Sequence, residues 1–372
     1  MRLPNKEATG RMIWRGVRRA GMAALLLAAA SDARAETSSW SQRTIIAPDK
    51  SAPAQGNGWN AVPAPVKPKA VRTSPATTPN KNITEVRKSP TSDDGEEAYF
   101  AFDQGRYLTA LDLAQKAAAK GDPQAHTLIA RIYEEGVAVP KDEKVAAQWY
   151  EKAAKLGDTE AVFSLGVLAA QGRGIAKDER AAAAYFEAAA AKGHAVANYN
   201  LALLFLQGRG KPENPHRAFM HMRYAAENGI AAAQYDLGTL YATGTGVDPN
   251  AFEAVKWIEK AANAGHIDAT VELAVLLFKG HGLPPDQKRG AQLFRNAAEK
   301  GVAVAQNRLA RCYVFGAGVE KNVREAGKWY LLAKAGGVTD EKLEALVAKF
   351  SKTDRLAAEK AAEEWREKSL VQ

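Results

Sequence analysis

Glycine recurs at positions 121, 157, 193, 229, 265, 301 and 337, a spacing of 36 residues without exception. A second set, Gly136, Gly172, Gly208, Gly244, Gly280 and Gly316, keeps the same period, and so does a third: Asp142, Asp178, Asn214, Asn250, Asp286 and Asn322. Self-similarity at this length means supersecondary units that cannot bury their apolar faces alone and must stack on their neighbours. The physics inside one unit is legible. Asp or Asn at the third set is a preferred N-cap, its side-chain oxygen accepting from unpaired first-turn N–H groups for about 1 kcal/mol. After Asn250 the inward positions Ala254, Trp257, Ile258, Ala261 and Ala262 follow a three-and-four spacing, which predicts a helix ended by Gly265. A second helix carries Ala269, Leu273, Ala274, Leu276 and Leu277 and closes at Gly280. Small residues allow close helix packing and large ones fill the gaps, so each unit is a helix hairpin.

The stretch YATGTGVDPNAFEAVKW (241–257) sets Gly244 and Gly246 ahead of a helix, as a phosphate-binding turn would. The same pair recurs at 172/174, 208/210, 280/282 and 316/318, each time after a helix. A dinucleotide fingerprint needs a preceding strand and a third glycine three residues on, where Pro249 stands. The pair is therefore read as a turn.

The net charge of +9 invites a polyanion partner only if it sits on the folded part. It does not. Residues 1–35 carry seven Lys/Arg against two acids and residues 36–95 eight against five, leaving 96–372 within one charge of neutrality. Nucleic-acid binding thereby loses its support. The first 35 residues have the layout of an export signal: Arg15, Arg18 and Arg19, the apolar run 22–30, then Ala33-Arg34-Ala35. The run is too short to span a bilayer, so the expectation is a cleaved signal with Glu36 as mature N-terminus and no stable membrane insertion afterwards. An uncleaved anchor and a core helix are the alternatives, and Met12 is a second candidate start. Residues 36–95 hold eight of the sixteen prolines with no periodicity, which predicts a disordered linker reaching about 45 Å. A passive spacer is the simpler reading of it; Trp40 and Trp59 argue for a ligand segment. Cys312 is the sole cysteine and falls at an apolar helix position, so it is read as buried filler.

AQYDLGTLYATGTGV (233–247) followed by AVKWIEKAANAGH (254–266) resembles the Sel-1-like repeat family, relatives of tetratricopeptide repeats. The resemblance covers 122–337 as six units. Residues 96–121 resemble a tetratricopeptide-type first hairpin, and the charged segment 338–372 suits capping helices. Departures are Ala138 for the second glycine, His221 where Trp149, Trp257 and Trp329 recur, and Lys211-Pro212 in the third turn. The resemblance implies an all-α fold, a right-handed α-solenoid of stacked helix hairpins, whose first helices line a concave groove that binds protein. By analogy with tetratricopeptide grooves, positions two, six and nine after the first-helix alanine face it. In the middle units they form a mainly apolar stripe, in which Phe163, Val167, Tyr199, Leu203, Leu206, Tyr235 and Phe278 are the expected partner-binding residues. Arg131, Glu134, Asn307 and Arg311 lie at the ends. Such a stripe suits a docked helix or extended peptide, although aromatic residues at this spacing also suit packing between units.

Catalytic patterns are not found: no GxSxG, SxxK or HExxH. His216 and His221, five apart, lie on different helix faces and do not suit shared metal binding. His194 and His266 follow the punctuating glycines and read as hydrated turn residues. No cofactor and no metal is expected, and no enzyme. Cysteine-rich relatives linked to β-lactams or peptidoglycan carry a disulfide per repeat, which one cysteine cannot supply. The expectation is an exported, periplasmic interaction module for a partner protein or peptide, with the periplasmic domain of a membrane sensor, as in control of exopolysaccharide synthesis, as one such partner. A cell-wall-binding or hydrolysing envelope protein and a structural spacer are the alternatives.

Overall fold

The structure, a computed structural model, describes residues 93–370, so the expected signal and nearly all of the expected linker lie outside the described residues. Among these residues there are sixteen helices and no strand. A first hairpin pairs α1 (Asp93–Asp103) with α2 (Tyr107–Ala119), beginning slightly ahead of residue 96. Six two-helix repeats follow, each an A helix and then a B helix: α3 (Pro123–Glu135) and α4 (Glu143–Lys155), α5 (Thr159–Gln171) and α6 (Glu179–Ala191), α7 (Ala195–Gln207) and α8 (Pro215–Glu227). The next are α9 (Ala231–Thr243) and α10 (Ala251–Asn263), α11 (Ile267–Lys279) and α12 (Gln287–Glu299), α13 (Ala303–Phe315) and α14 (Val323–Ala335). Two further helices, α15 (Glu341–Val347) and α16 (Lys352–Leu370), close the series. The chain is an all-α solenoid whose described residues divide into two compact units, up to Ile230 and from Ala231.

Every repeat helix is 13 residues long, about 20 Å, because its ends are chemically set. All six B helices start at the periodic Asp or Asn, whose side chain accepts from first-turn N–H groups, as Asp178 does from Arg180 (2.8 Å) and Ala181 (3.0 Å). At the end of α10 the Gly265 N–H donates to Ala262 O and the His266 N–H to Ala261 O, both at 3.0 Å. This is the Schellman closure, and Gly265 supplies its left-handed residue at φ +86°. In the expected helix after Asn250, Ala254, Trp257, Ile258 and Ala261 are buried. Ala262 is only half-buried, and Val255 takes a buried place the spacing did not assign to it.

The second glycine of the GxG turn has a separate task. A Cβ on Gly174 would lie 2.0 Å from the carbonyl oxygen of Glu143, in the first turn of the preceding B helix, and one on Gly210 would lie 2.0 Å from that of Glu179. Each turn is thus pressed onto the repeat before it at a distance only glycine permits. Arginine between the glycines clamps the contact: Arg173 Nε donates to Glu143 at 2.9 Å, and Arg209 Nε to Glu179 at 2.9 Å. Where Ala138 replaces the second glycine, it packs into the cluster of the first hairpin instead.

The last repeat is closed by a buried ion pair. Arg311, on α13, donates through Nε to Asp340 at 2.6 Å, and Asn307 Nδ2 donates to the same oxygen at 3.1 Å. Asp340 is in turn the N-cap of α15, accepting from the Leu343 N–H at 3.0 Å. α16 then lies on α14, its Ala358 and Ala362 buried and Trp365 edge-on to Trp329 with ring centroids 6.1 Å apart. Gly327 makes the approach feasible, since a Cβ there would stand 2.6 Å from that of Ala358.

Gly174→Ala should lower the denaturation midpoint by far more than Gly157→Ala. Both have positive φ, a penalty of about 1–2 kcal/mol for an L-residue, but only Gly174 also meets a backbone carbonyl, whereas Gly157 has open space. Equal effects in urea titrations would show that the turns are not pressed together. Asp340→Ala leaves Arg311 buried without its carboxylate and should cost about 3–5 kcal/mol. Amide exchange should report the loss first in α15.

Candidate interaction surface

The A helices are nearly all core. Of the residues expected to line a groove, Phe163 is 0% exposed, Tyr199 3% and Tyr235 7%, and Val167, Leu203 and Leu206 are buried as well. Phe278 alone is half-buried. The expectation of an exposed apolar stripe therefore gives way to packing within each hairpin and against the cap of the next A helix. The Phe163 ring stacks on His194 at 4.4 Å and lies 5.8 Å from Phe186; Tyr235 stacks on His266 at 4.9 Å; Phe278 stacks on Phe294 at 5.7 Å. The physical reason is that an A helix such as α7 has the B helix of its own hairpin on one side and the preceding B helix on another. Helices apolar around most of their circumference, such as AVANYNLALLFLQ in α7, have no face left for solvent.

The histidines after the punctuating glycines are caps, contrary to their reading as hydrated turn residues. His194 is buried. Its Nδ1 accepts from the Ala197 N–H at 3.0 Å, which leaves Nε2 protonated to donate to Glu160 at 3.0 Å. His266 accepts from the Ala269 N–H at 3.3 Å in the same way. Imidazole here replaces the Asp122 and Asp158 carboxylates, which cap the A helices of the earlier repeats, and adds a ring to stack on the preceding aromatic. His221, standing where Trp recurs, donates from Nδ1 to Asn198 Oδ1 at 2.9 Å and stacks on Phe205 at 5.8 Å. Sequence reasoning missed the capping role, and the signal for it was available: the period aligns His194 and His266 with Asp122 and Asp158.

The charged ends of the stripe are also engaged internally. Glu134 accepts from the Tyr150 hydroxyl at 2.9 Å and pairs with Arg173 at 3.0 Å. Arg131 pairs with Glu135 at 2.8 Å and lies over the Phe102 ring at 4.7 Å. Asn307 and Arg311 serve the Asp340 lock. What stays open along the A helices is Gln171 at the end of α5, Ala242 and Thr243 at the end of α9, half-buried Phe278 with exposed Lys279 at the end of α11, and Ile267 with Asp268 at its start. Cys312 is fully buried, and burial pushes its thiol up to about 12, which fits filler and not a nucleophile. Among the described residues no group of His, Cys, Asp and Glu side chains is arranged to hold a metal ion, and no helix is long and apolar enough to cross a membrane.

Burial, with the Glu160 charge beside it, pushes the Asp158 carboxyl up to about 6, against the pull of its bond from the Ala161 N–H. A carboxyl raised in the folded state contributes stability that is complete below its unfolded value and lost as pH rises through about 6. The stability difference between the protein and Asp158→Asn should therefore shift in favour of the protein by about 2 kcal/mol on acidification from pH 7 to pH 4.5. Denaturant titrations at the two pH values check this; a difference that stays constant would mean that the carboxyl is not perturbed.

The fold is shared with a solved structure. A Sel1 repeat protein from Oxalobacter formigenes is 30% identical, with a TM-score of 0.58 over 67% of this chain and 100% of that one. Protein c5321, a protective antigen of uropathogenic Escherichia coli strains displaying an SLR fold, is 25% identical, with a TM-score of 0.49 over 75% of this chain and 69% of that one. No curated protein matches. The model of the Sel1 repeat matches at 107–122, 123–158, 159–194, 195–230, 231–266, 267–302 and 303–338. Six of those segments coincide with the A-helix and B-helix pairs, and the chain belongs to the Sel1 repeat family.

Proposed function

We propose that this protein is an exported, periplasmic adaptor that binds a partner protein or peptide, the periplasmic domain of a membrane sensor being the specific partner class. Sel1 repeats generally mediate protein–protein interaction and are generally not catalysts. The export reading is supported by the Arg-rich start, the short apolar run and Ala33-Arg34-Ala35. The observation that carries the binding role is how the side chains are used. The A-helix aromatics are consumed in packing inside the hairpins and against the cap of the next A helix, and the periodic caps in closing their own first turns. The C-terminal turns of the A helices, around Ala242, Thr243 and Phe278, stay accessible. A pre-ordered surface binds without the entropy loss of ordering itself. Recognition is assigned to these turns, with Phe278 as the expected groove residue still within reach of a partner, and not to Phe163 or Tyr199.

The test is photo-crosslinking in intact cells, with the reactive amino acid at Ala242 or Phe278 and, as a buried control, at Tyr199. One protein adduct from the two accessible sites and none from Tyr199 is the expected result, in a fraction released by osmotic shock. Cell-wall adducts would replace this reading with the cell-wall-binding one, and retention of the chain in the cytoplasm would remove the envelope assignment.

A further inference from the structure

At one position on the outer faces of the B helices, two of the three glutamates, at 187 and 259, are paired by cations of the following repeat. Glu187 on α6 takes Lys211 (2.7 Å) and Arg217 (3.3 Å), and Glu259 on α10 takes Arg289. The same position on α12 is a cation, Arg295, and the residue 30 further on is Glu325, so the pair could form with its charges exchanged. It does not form. Glu325 accepts from Trp329 Nε1 at 2.9 Å, and Arg295 instead donates from a terminal nitrogen to the Tyr313 hydroxyl at 2.7 Å. Arg223, the other cation at this position, pairs within its own helix with Glu227 at 3.7 Å.

A second pairing is lost beside it. In the first repeat Lys141 bonds Glu143, two residues on, at 2.9 Å. Lys321 is the corresponding loop lysine of the last repeat, and Val323 stands where the acid would be. Arg295 and Lys321, with Lys288 about two turns up the same face of α12, line a single cavity of about 410 Å³, walled also by Gln292, Tyr313, Val319, Glu320 and Asn322. Among the described residues none of the three cations has an acidic partner within ion-pair distance. One acid, Glu320, shares the cavity.

We infer that this cavity is a receptor for a carboxylate side chain on an acidic segment of a protein partner. The guanidinium of Arg295, held by Tyr313, presents a planar fork that matches a carboxylate, and two lysines add field without fixed geometry. The Tyr313 ring and Val319 offer apolar cover to the stem of the acidic side chain. Glu320 trims the positive charge, which suits one carboxylate better than a multiply charged phosphate. The inference deepens the interaction reading and rests on it, yet it can fail alone.

Fluorescence anisotropy of the full chain with a labelled hexaglutamate peptide tests it, with hexaglutamine as the neutral comparison. Arg295→Glu is the decisive variant because Glu151, Glu187 and Glu259 hold that position in other repeats; Arg295→Gln serves if it misfolds. Loss of affinity by roughly tenfold or more in Arg295→Glu and in Lys321→Ala, with Lys155→Glu unchanged, is expected. Equal loss in Lys155→Glu would show bulk charge attraction and overturn the site, as would binding of hexaglutamine equal to that of hexaglutamate. Displacement by inorganic phosphate at the peptide's own concentration would overturn the carboxylate preference. If hexaglutamate does not bind while Ala242 still crosslinks a protein in cells, the cavity falls and the adaptor reading stands.

Discussion

The seating of a glycine turn on the helix before it, as at Gly174, Gly210, Gly282 and Gly318, is the contact on which the stacking within each compact unit depends. Gly174 and Gly210 lie so near the carbonyl oxygens of Glu143 and Glu179 that no side chain fits between. Backbone contact of that kind sets the offset of one hairpin on the next, as a side-chain contact with rotamer freedom could not. Arg173 and Arg209 then tie the turn to the same helix by charge-assisted bonds. Within each compact unit the offset recurs, and stability there is a sum of nearest-neighbour terms.

A stack of this kind leaves two exposed ends, and both are closed. At the start, the Tyr99 hydroxyl donates to the Gln124 carbonyl at 3.1 Å, and Ala138 fills space against the first hairpin. At the finish, Asp340 draws together Arg311, Asn307 and the first turn of α15. Burial alone would raise that carboxyl, but the bonds from Arg311, Leu343 and Asn307 outweigh it and hold Asp340 below the usual carboxylate range. The ion pair thus costs desolvation and returns it as a fixed attachment point for the capping helices.

Inside the repeats, polar groups are used to specify and apolar ones to fill. His194 illustrates this: one nitrogen caps a helix, the other bonds Glu160, and the ring covers Phe163. A side chain so employed is not free to bind a metal or shuttle a proton. The residues with freedom left are those whose repeat partners have changed identity, as around Arg295, and those at helix ends facing solvent, as at Ala242.

The 36-residue period, the Asp/Asn caps and the punctuating glycines were legible because they act locally: a cap bonds its own first turn, and positive φ is a property of one residue. They determined the number and order of the repeat hairpins, and the glycine pair could be recognised as a turn. Burial of the A-helix face was not legible. Phe163, Tyr199 and Tyr235 have the same spacing whether they face a groove or a neighbouring hairpin, since periodicity reports which side of a helix is apolar and not what covers it. The carboxylate under Arg311 comes from another element, and Arg295 and Lys321 meet only because consecutive hairpins stack. Those choices belong to contacts between residues far apart in the chain, which tertiary structure alone decides.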